Sequence, residues 1–170
     1  MIEEPYILIY YVSKTKKLQK FAAKLSEIMH CKVVCLVGIM DSAVFSGKEN
    51  KEFDLKMILD AGPGEFISLL HHAQCVLTNS FHGTAFSIIF QKPFLVDLFM
   101  SDGSVNNRVR NILQLLGLKE RVLHDEEIDI YKKMYMAIHW TDVEGRIGEM
   151  CRQSKELFWK MLGRASSGEA

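Results

Sequence analysis

A Rossmann-like α/β domain, its mainly parallel sheet covered by helices on both faces, is the fold this sequence predicts. Three observations predict it. Short, nearly continuous apolar runs, YILIYYV (6–12), KVVCLV (32–37), CVLTN (75–79) and PFLVDLF (93–99), suit strands buried on both faces. Segments of helical periodicity separate most of them. Alternation of the two types implies parallel strands joined by crossover helices.

Taken in order, the strand Tyr6 to Val12 is followed by a polar turn at Ser13 to Lys17. LQKFAAKLSEIM then repeats Leu18, Phe21, Ala22, Leu25 and Ile28 or Met29 at helical spacing. The strand Lys32 to Val37 ends at Gly38, and a Gly, Ser, Lys and Glu rich connection extends to Gly64. Within it DLKMIL is open to a short strand and SGKENKEF to a loop. At GPGEF, Pro63 and Glu65 mark the start of the helix EFISLLHHA, whose last turn carries His71 and His72. The strand CVLTN, the helix SFHGTAFSIIF, the strand PFLVDLF and the helix VNNRVRNILQLLG follow, the last closed by Gly117. A short RVLH strand is expected next. The amphipathic helix DVEGRIGEMCRQSKELFWKMLG turns Val143, Ile147, Met150 or Cys151, Leu157 or Phe158 and Met161 or Leu162 inward.

With 170 residues, 48% hydrophobic and 25% charged, the chain is long enough for one well-buried domain, expected over 1–163 with a disordered tail at 164–170. Twenty-one basic residues balance twenty-one acidic ones, so no net field favours nucleic acid or an anionic membrane. Cys31, Cys35, Cys75 and Cys151 lack the close pairs of a zinc site, and no secretory signal is read at the N-terminus. Reduced thiols and a cytoplasmic location are expected. No apolar run reaches the roughly 20 residues of a membrane span.

Ligands of such sheets gather beyond the carboxyl ends of the strands, near the topological switch point. There the segment TNSFHGTAFSIIFQKPF places a polar cluster between apolar flanks. Asn79 and Ser80 are N-cap types at a strand-to-helix turn. Phe81, Ala85, Ile88 and Ile89 are expected to be buried, leaving His82, Gly83 and Thr84 on the open side of the first turn. Uncapped amides, the positive end of the helix dipole and a glycine that lets a ligand approach the backbone make an anion site. His82 can donate to an oxyanion or move a proton. From the SDGSVNNRVR segment, Asn107 and Arg108 lie near a helix start, where the guanidinium can clamp a carboxylate or phosphate. Glu65 is either a base, a ligand for a sugar hydroxyl, or a cap for its own helix.

The stretch GPGEFISLLHHAQCVLTNSFHGTAFSIIFQKPFLV resembles the signature region of the polysaccharide pyruvyl transferase family: a G-P-x-E-F helix start, an A-x-x-V-x-T-x-S-F-H-G turn and a K-P-F strand. NNRVRNILQLLGLKERV and the closing amphipathic helix are similar to that family's C-terminal part. The resemblance implies one Rossmann-like half of a two-domain, GT-B-like fold, with the N-terminal half absent from this chain. It implies transfer of pyruvyl from phosphoenolpyruvate, a donor substrate, onto two hydroxyls of a glycan acceptor as a ketal, with no cofactor or metal. His82 would be the acid; Asn79, Ser80, Gly83, Thr84, Asn107, Arg108 and Glu65 would bind substrate. Where some members carry an arginine two positions before the histidine, this chain has Ser80. The runner-up is a nucleotide-sugar glycosyltransferase, disfavoured because SFHGTAFSIIF lacks acidic residues for donor hydroxyls; the third reading is an anion-binding domain without catalysis.

Overall fold

The structure is a computed structural model that describes residues 2, 4–12, 15–37, 55–98, 103–124 and 129–167, excluding the side chains of 37, 55, 103–106 and 164–167. SGKENKEF and the Ser101–Asp102 start of the later loop lie outside them. The elements run β1 (Tyr6–Tyr11), α1 (Lys16–Met29), β2 (Lys32–Val37), β3 (Leu55–Ile58), α2 (Pro63–His72), β4 (Cys75–Thr78), α3 (Phe81–Ile89), β5 (Phe94–Val96), α4 (Gly103–Leu116), a 3₁₀ turn (Lys119–Arg121), α5 (Ile130–Tyr135) and α6 (Trp140–Ser167).

The five strands form one sheet in the order β3-β2-β1-β4-β5, and every pair in it is parallel. The predicted class is therefore the observed one. The chain builds outward from β1 in one direction through β2 and β3, then returns to the other side for β4 and β5. The switch point lies between β1 and β4.

Alternation along β1 divides the core. Ile7, Ile9 and Tyr11 pack with Leu18, Phe21, Ala22 and Leu25 of α1 and with Ile130 and Met134 of α5. Tyr6 and Leu8 face the other way, into a layer holding Leu70 of α2, Ile88 of α3, Val109, Leu113 and Leu116 of α4, and Val143 of α6. A strand buried on both faces has no polar side to show, which is why its sequence lacks period-two alternation. The buried Tyr6 hydroxyl donates to Leu69 O at 2.7 Å, and burial pushes its pKa up to about 12. Ionisation is then harder in the folded than in the unfolded chain. The resulting stability is complete below about pH 10 and is lost as the pH rises from there through about 12. Alkaline unfolding followed by circular dichroism should show this loss, and Tyr6→Phe should reduce it without abolishing it, because burial also pushes Tyr135 up to about 12.

Several expectations change in the fold. PFLVDLF forms only a three-residue strand, although one further ladder bond, Asp97 N–H to Thr78 O at 2.9 Å, extends it. RVLH contributes an isolated parallel bridge between Val122 and Val96 after the 3₁₀ turn, not a strand. Gly117 closes α4 as predicted, at φ 72°, with Leu118 N–H returning to Leu113 O at 2.7 Å. The short helix α5 has no counterpart in the sequence reading. The helix α6 continues to Ser167, into the segment expected as a tail.

The α6 face is the largest departure. Val143 is buried as predicted, but Ile147, Met150, Leu157, Phe158, Met161 and Leu162 are exposed. The helix borders α3 and α4 as far as Ser154 and Lys155; beyond them the apolar periodicity continues where there is nothing in the described structure to cover it.

Arg121 is a further surprise: it is fully buried. Its guanidinium donates to Met136 O at 2.9 Å, Met134 O at 3.2 Å and Lys133 O at 3.3 Å, gathering the carbonyls at the end of α5. Burial lowers its pKa, an effect opposed by Glu120. The side chain thus fastens α5 over the α1 face. Arg121→Met should cost about 2 kcal/mol by leaving these carbonyls without their charged donor, partly offset by removing a buried charge. Denaturant unfolding measures the cost, and hydrogen exchange should speed up in α5 first.

Candidate functional site

The site is built where β1 and β4 part. Thr78, the last residue of β4, donates its hydroxyl to Tyr10 O at 2.5 Å and accepts from Ser80 N–H at 3.0 Å. Asn79 Oδ1 accepts from Val12 N–H at 3.0 Å. Side chains therefore stitch the two diverging strand ends together just past the sheet edge. Asn79 is buried in this stitching, and the N-cap position of α3 falls to Ser80.

Ser80 is the N-cap of α3 by backbone geometry (φ −97°, ψ 138°), but its side chain caps no amide. Its Oγ is buried and has no hydrogen-bond partner among the described residues. An enclosed hydroxyl without a partner costs about 1–3 kcal/mol. Such a cost at a helix start is a reason to look there for function. The first helical bonds run from Thr84, whose N–H and hydroxyl both donate to Ser80 O at 3.0 and 2.9 Å.

The expected orientation of α3 is reversed in part. Its buried face is Gly83, Thr84, Ser87 and Ile88, while Ile89 is 64% exposed and Phe81 and Ala85 are only half-buried. The physical reason is proximity. A Cβ on Gly83 would lie 3.0 Å from Thr78 Cβ and from Tyr10 Cδ1, and closer still to Thr78 Oγ1. A helix this near a strand admits only small residues at the contact. Thr84 and Ser87 can be buried because their hydroxyls bond back to the carbonyls four residues earlier, Ser87 to Gly83 O at 2.7 Å. Gly83 and Thr84 are thus packing residues, not ligand-facing ones.

His82 does face outward. Its ring stands edge-to-face against Phe81, with centroids 5.9 Å apart. Over the same Phe81 ring lies the Arg108 guanidinium, 5.2 Å from the centroid, arriving from α4. Arg108 is in the second turn of α4, since that helix begins at Gly103, earlier than the sequence suggested. A histidine and an arginine 26 positions apart in sequence are thereby brought to one aromatic ring, beside an uncapped helix start. Asn107, also exposed, precedes Arg108 on α4.

Two residues at this edge were not foreseen. Lys17 Nζ lies 3.0 Å from the carboxylate of Asp97, which is buried. Lys17 is in the first turn of α1, after β1, and Asp97 follows β5. The pair therefore spans the end of β4 that lies between them. Sequence distance hid it: a lysine in a polar turn and an acid within an apolar strand give no local sign of a partner.

Glu65 lies elsewhere. Its carboxylate accepts from Gly62 N–H at 2.9 Å, so it caps α2. It also lines a cavity of about 250 Å³ with Tyr6, Lys56, Ile58, Ser68 and His72. His82 is not part of that cavity.

A doubly wound parallel sheet with polar and cationic groups at its switch point is the class these features define. The family model for polysaccharide pyruvyl transferase matches residues 2–96, more than half of the chain. The chain belongs to the polysaccharide pyruvyl transferase family, a family of transferases. Among curated proteins none matches. Among solved structures the chain is similar to the glycotransferase of kitacinnamycin (TM-score 0.53, 13% identity), with 84% of this chain and 38% of that one aligned. That likeness is one of fold. Also similar are UDP-GlcNAc 2-epimerase of Methanocaldococcus jannaschii (TM-score 0.41, 17% identity, 62% of this chain and 33% of that one) and phenylacrylic acid decarboxylase of Aquifex aeolicus (TM-score 0.46, 10% identity, 88% and 97%). This chain thus spans well under half the length of the first two. No helix among the described residues is long and apolar enough to cross a membrane.

Proposed function

We propose that this chain binds phosphoenolpyruvate in an enzyme that transfers pyruvyl to two hydroxyls of a sugar as a ketal, in assembly of a cell-surface or exopolysaccharide. The observation that carries the reading is the convergence of His82 and Arg108 on Phe81 beside the uncapped start of α3. Phosphoenolpyruvate presents a phosphate and a carboxylate. The amides and dipole of α3 suit one anionic group and the Arg108 fork suits the other.

His82 then gives a proton to the methylene carbon as one sugar hydroxyl adds to the neighbouring carbon, and the proton that this hydroxyl loses passes through solvent to restore His82. A second hydroxyl of the same sugar attacks that carbon, the bond to phosphate oxygen breaks, and inorganic phosphate leaves with the remaining proton. Lys17 and Asp97 neutralise each other, so their part is to hold α1 and the end of β5 in place around β4. Among the described residues His82 is exposed, which agrees with a cleft completed by an N-terminal Rossmann-like half that carries most acceptor contacts. The isolated chain is then inactive alone and functions in the cytoplasm with that half.

The test is phosphate release from phosphoenolpyruvate, with the N-terminal half present, over a panel of glycans, against consumption of nucleotide sugars by the same protein. Phosphate release that depends on glycan supports the reading. Use of nucleotide sugars alone defeats it.

A further inference from the structure

The helix α6 carries an apolar row that outlasts its domain. Ile147, Met150, Ser154, Leu157 and Met161 recur at alternating spacings of three and four, the seam of a coiled coil, with Cys151 and Phe158 alongside. Phe158 is 56% and Met161 63% exposed, so the C-terminal half of this seam faces solvent.

The domain also contains an empty counterpart. A groove of about 470 Å³ runs between α3, α4 and α6, walled by Ala85, Ile89, Ile112, Leu116, Ile147 and Met150. Its walls are almost wholly apolar. The reversed packing of α3, which turns Ile89 outward, is what creates one of them. Among the described residues, an apolar ridge without a partner and an unfilled apolar groove therefore lie on the same helix, one at each end of its exposed length.

Charge follows the same polarity. Over 142–149 the helix has three acids, Asp142, Glu144 and Glu149, against Arg146; over 152–160 it has Arg152, Lys155 and Lys160 against Glu156. Arg152 bonds Glu149 and Glu156 within the helix, which leaves Asp142 and Glu144 towards one end and Lys155 and Lys160 towards the other, so one half is acidic and the other basic. A helix of this kind is complementary to a second copy of itself laid antiparallel.

We infer that two copies of this chain associate through α6 about a two-fold axis, each seating Leu157, Phe158 and Met161 in the other's groove. The contact is isologous, so it closes at a dimer. A membrane surface would also accept an amphipathic helix, but it has no use for the groove or for the acidic half.

Sedimentation equilibrium of the 170-residue chain over a wide concentration range should show a monomer–dimer equilibrium. Phe158→Glu on the ridge and Ile89→Arg in the groove should each weaken it at least about tenfold. Both side chains are exposed in the single chain, so thermal unfolding of the monomer should hardly move. Mixing the two variants should restore association, because one contact stays intact and in the other the new carboxylate meets the new guanidinium. A chain monomeric at every concentration overturns the inference, as does a dimer indifferent to both substitutions. Failure of the mixed variants to associate overturns the reciprocal arrangement. Binding to phosphatidylglycerol vesicles by a chain that remains monomeric would assign the ridge to a lipid surface instead.

Discussion

His82→Ala is expected to lower pyruvyl transfer by about 10²–10⁴-fold, the range that positioned acid–base groups contribute. The expectation rests on the proposed role, and structure separates it from a folding defect. His82 is exposed, and its described ring contact is with Phe81. Its removal should change unfolding free energy by no more than about 0.5 kcal/mol. Phosphate release measured with the proposed N-terminal half present, together with denaturant unfolding of the same variant, gives both numbers. Transfer at the unaltered rate would remove His82 from the chemistry. An equal loss of stability and activity would make it a packing residue.

The substitution one position later should do the opposite. Gly83→Ala places a methyl group within 3.0 Å of Thr78 Cβ and Tyr10 Cδ1, and nearer to the Thr78 hydroxyl that holds the Tyr10 carbonyl and the Ser80 amide. None of these can retreat cheaply. Tyr10 and Thr78 belong to paired strands, and moving the hydroxyl breaks the bonds that join β1 to the α3 turn. A cost of about 3 kcal/mol is expected, at the upper end of the usual range for overpacking. Alanine is the better helix former by roughly 1 kcal/mol, so a stabilised variant would show that the helix can lift off the strand freely. Activity should fall as well, because α3 must shift and carry His82 with it. Urea unfolding of the variant, with phosphate release measured under conditions where it is folded, tests both parts.

These two neighbours show how much of the site could be read in advance. TNSFHG marked a strand-to-helix turn because Asn, Ser and Gly are poor residues for the middle of either element, and the turn is there. The same local rules misassigned its faces. Ile89 and Ala85 read as buried and Gly83 and Thr84 as open because periodicity weighs side chains by polarity. Distance from strand to helix decided otherwise, and hydroxyls that bond back to their own helix escape the usual penalty for burial. Arg108 was identifiable as a candidate anion ligand, but its place over Phe81 depends on how α4 lies against α3. The capping of α2 by Glu65 was legible, being three residues long.

By itself, then, the sequence determined the elements and their class. Continuous apolar runs between helical periodicities demand strands buried on both faces, and short-range signals such as Pro63 and Gly117 bounded two of the helices. The tertiary structure alone decided which side chains meet. Lys17 with Asp97, Arg121 with the end of α5, and Arg108 with the Phe81 ring that His82 also touches join residues 12 to 80 positions apart. It also decided that the apolar face of α6 outruns its domain. Propensity and periodicity act over a few residues, whereas these contacts depend on where whole elements come to rest, and one sequence window does not contain that information.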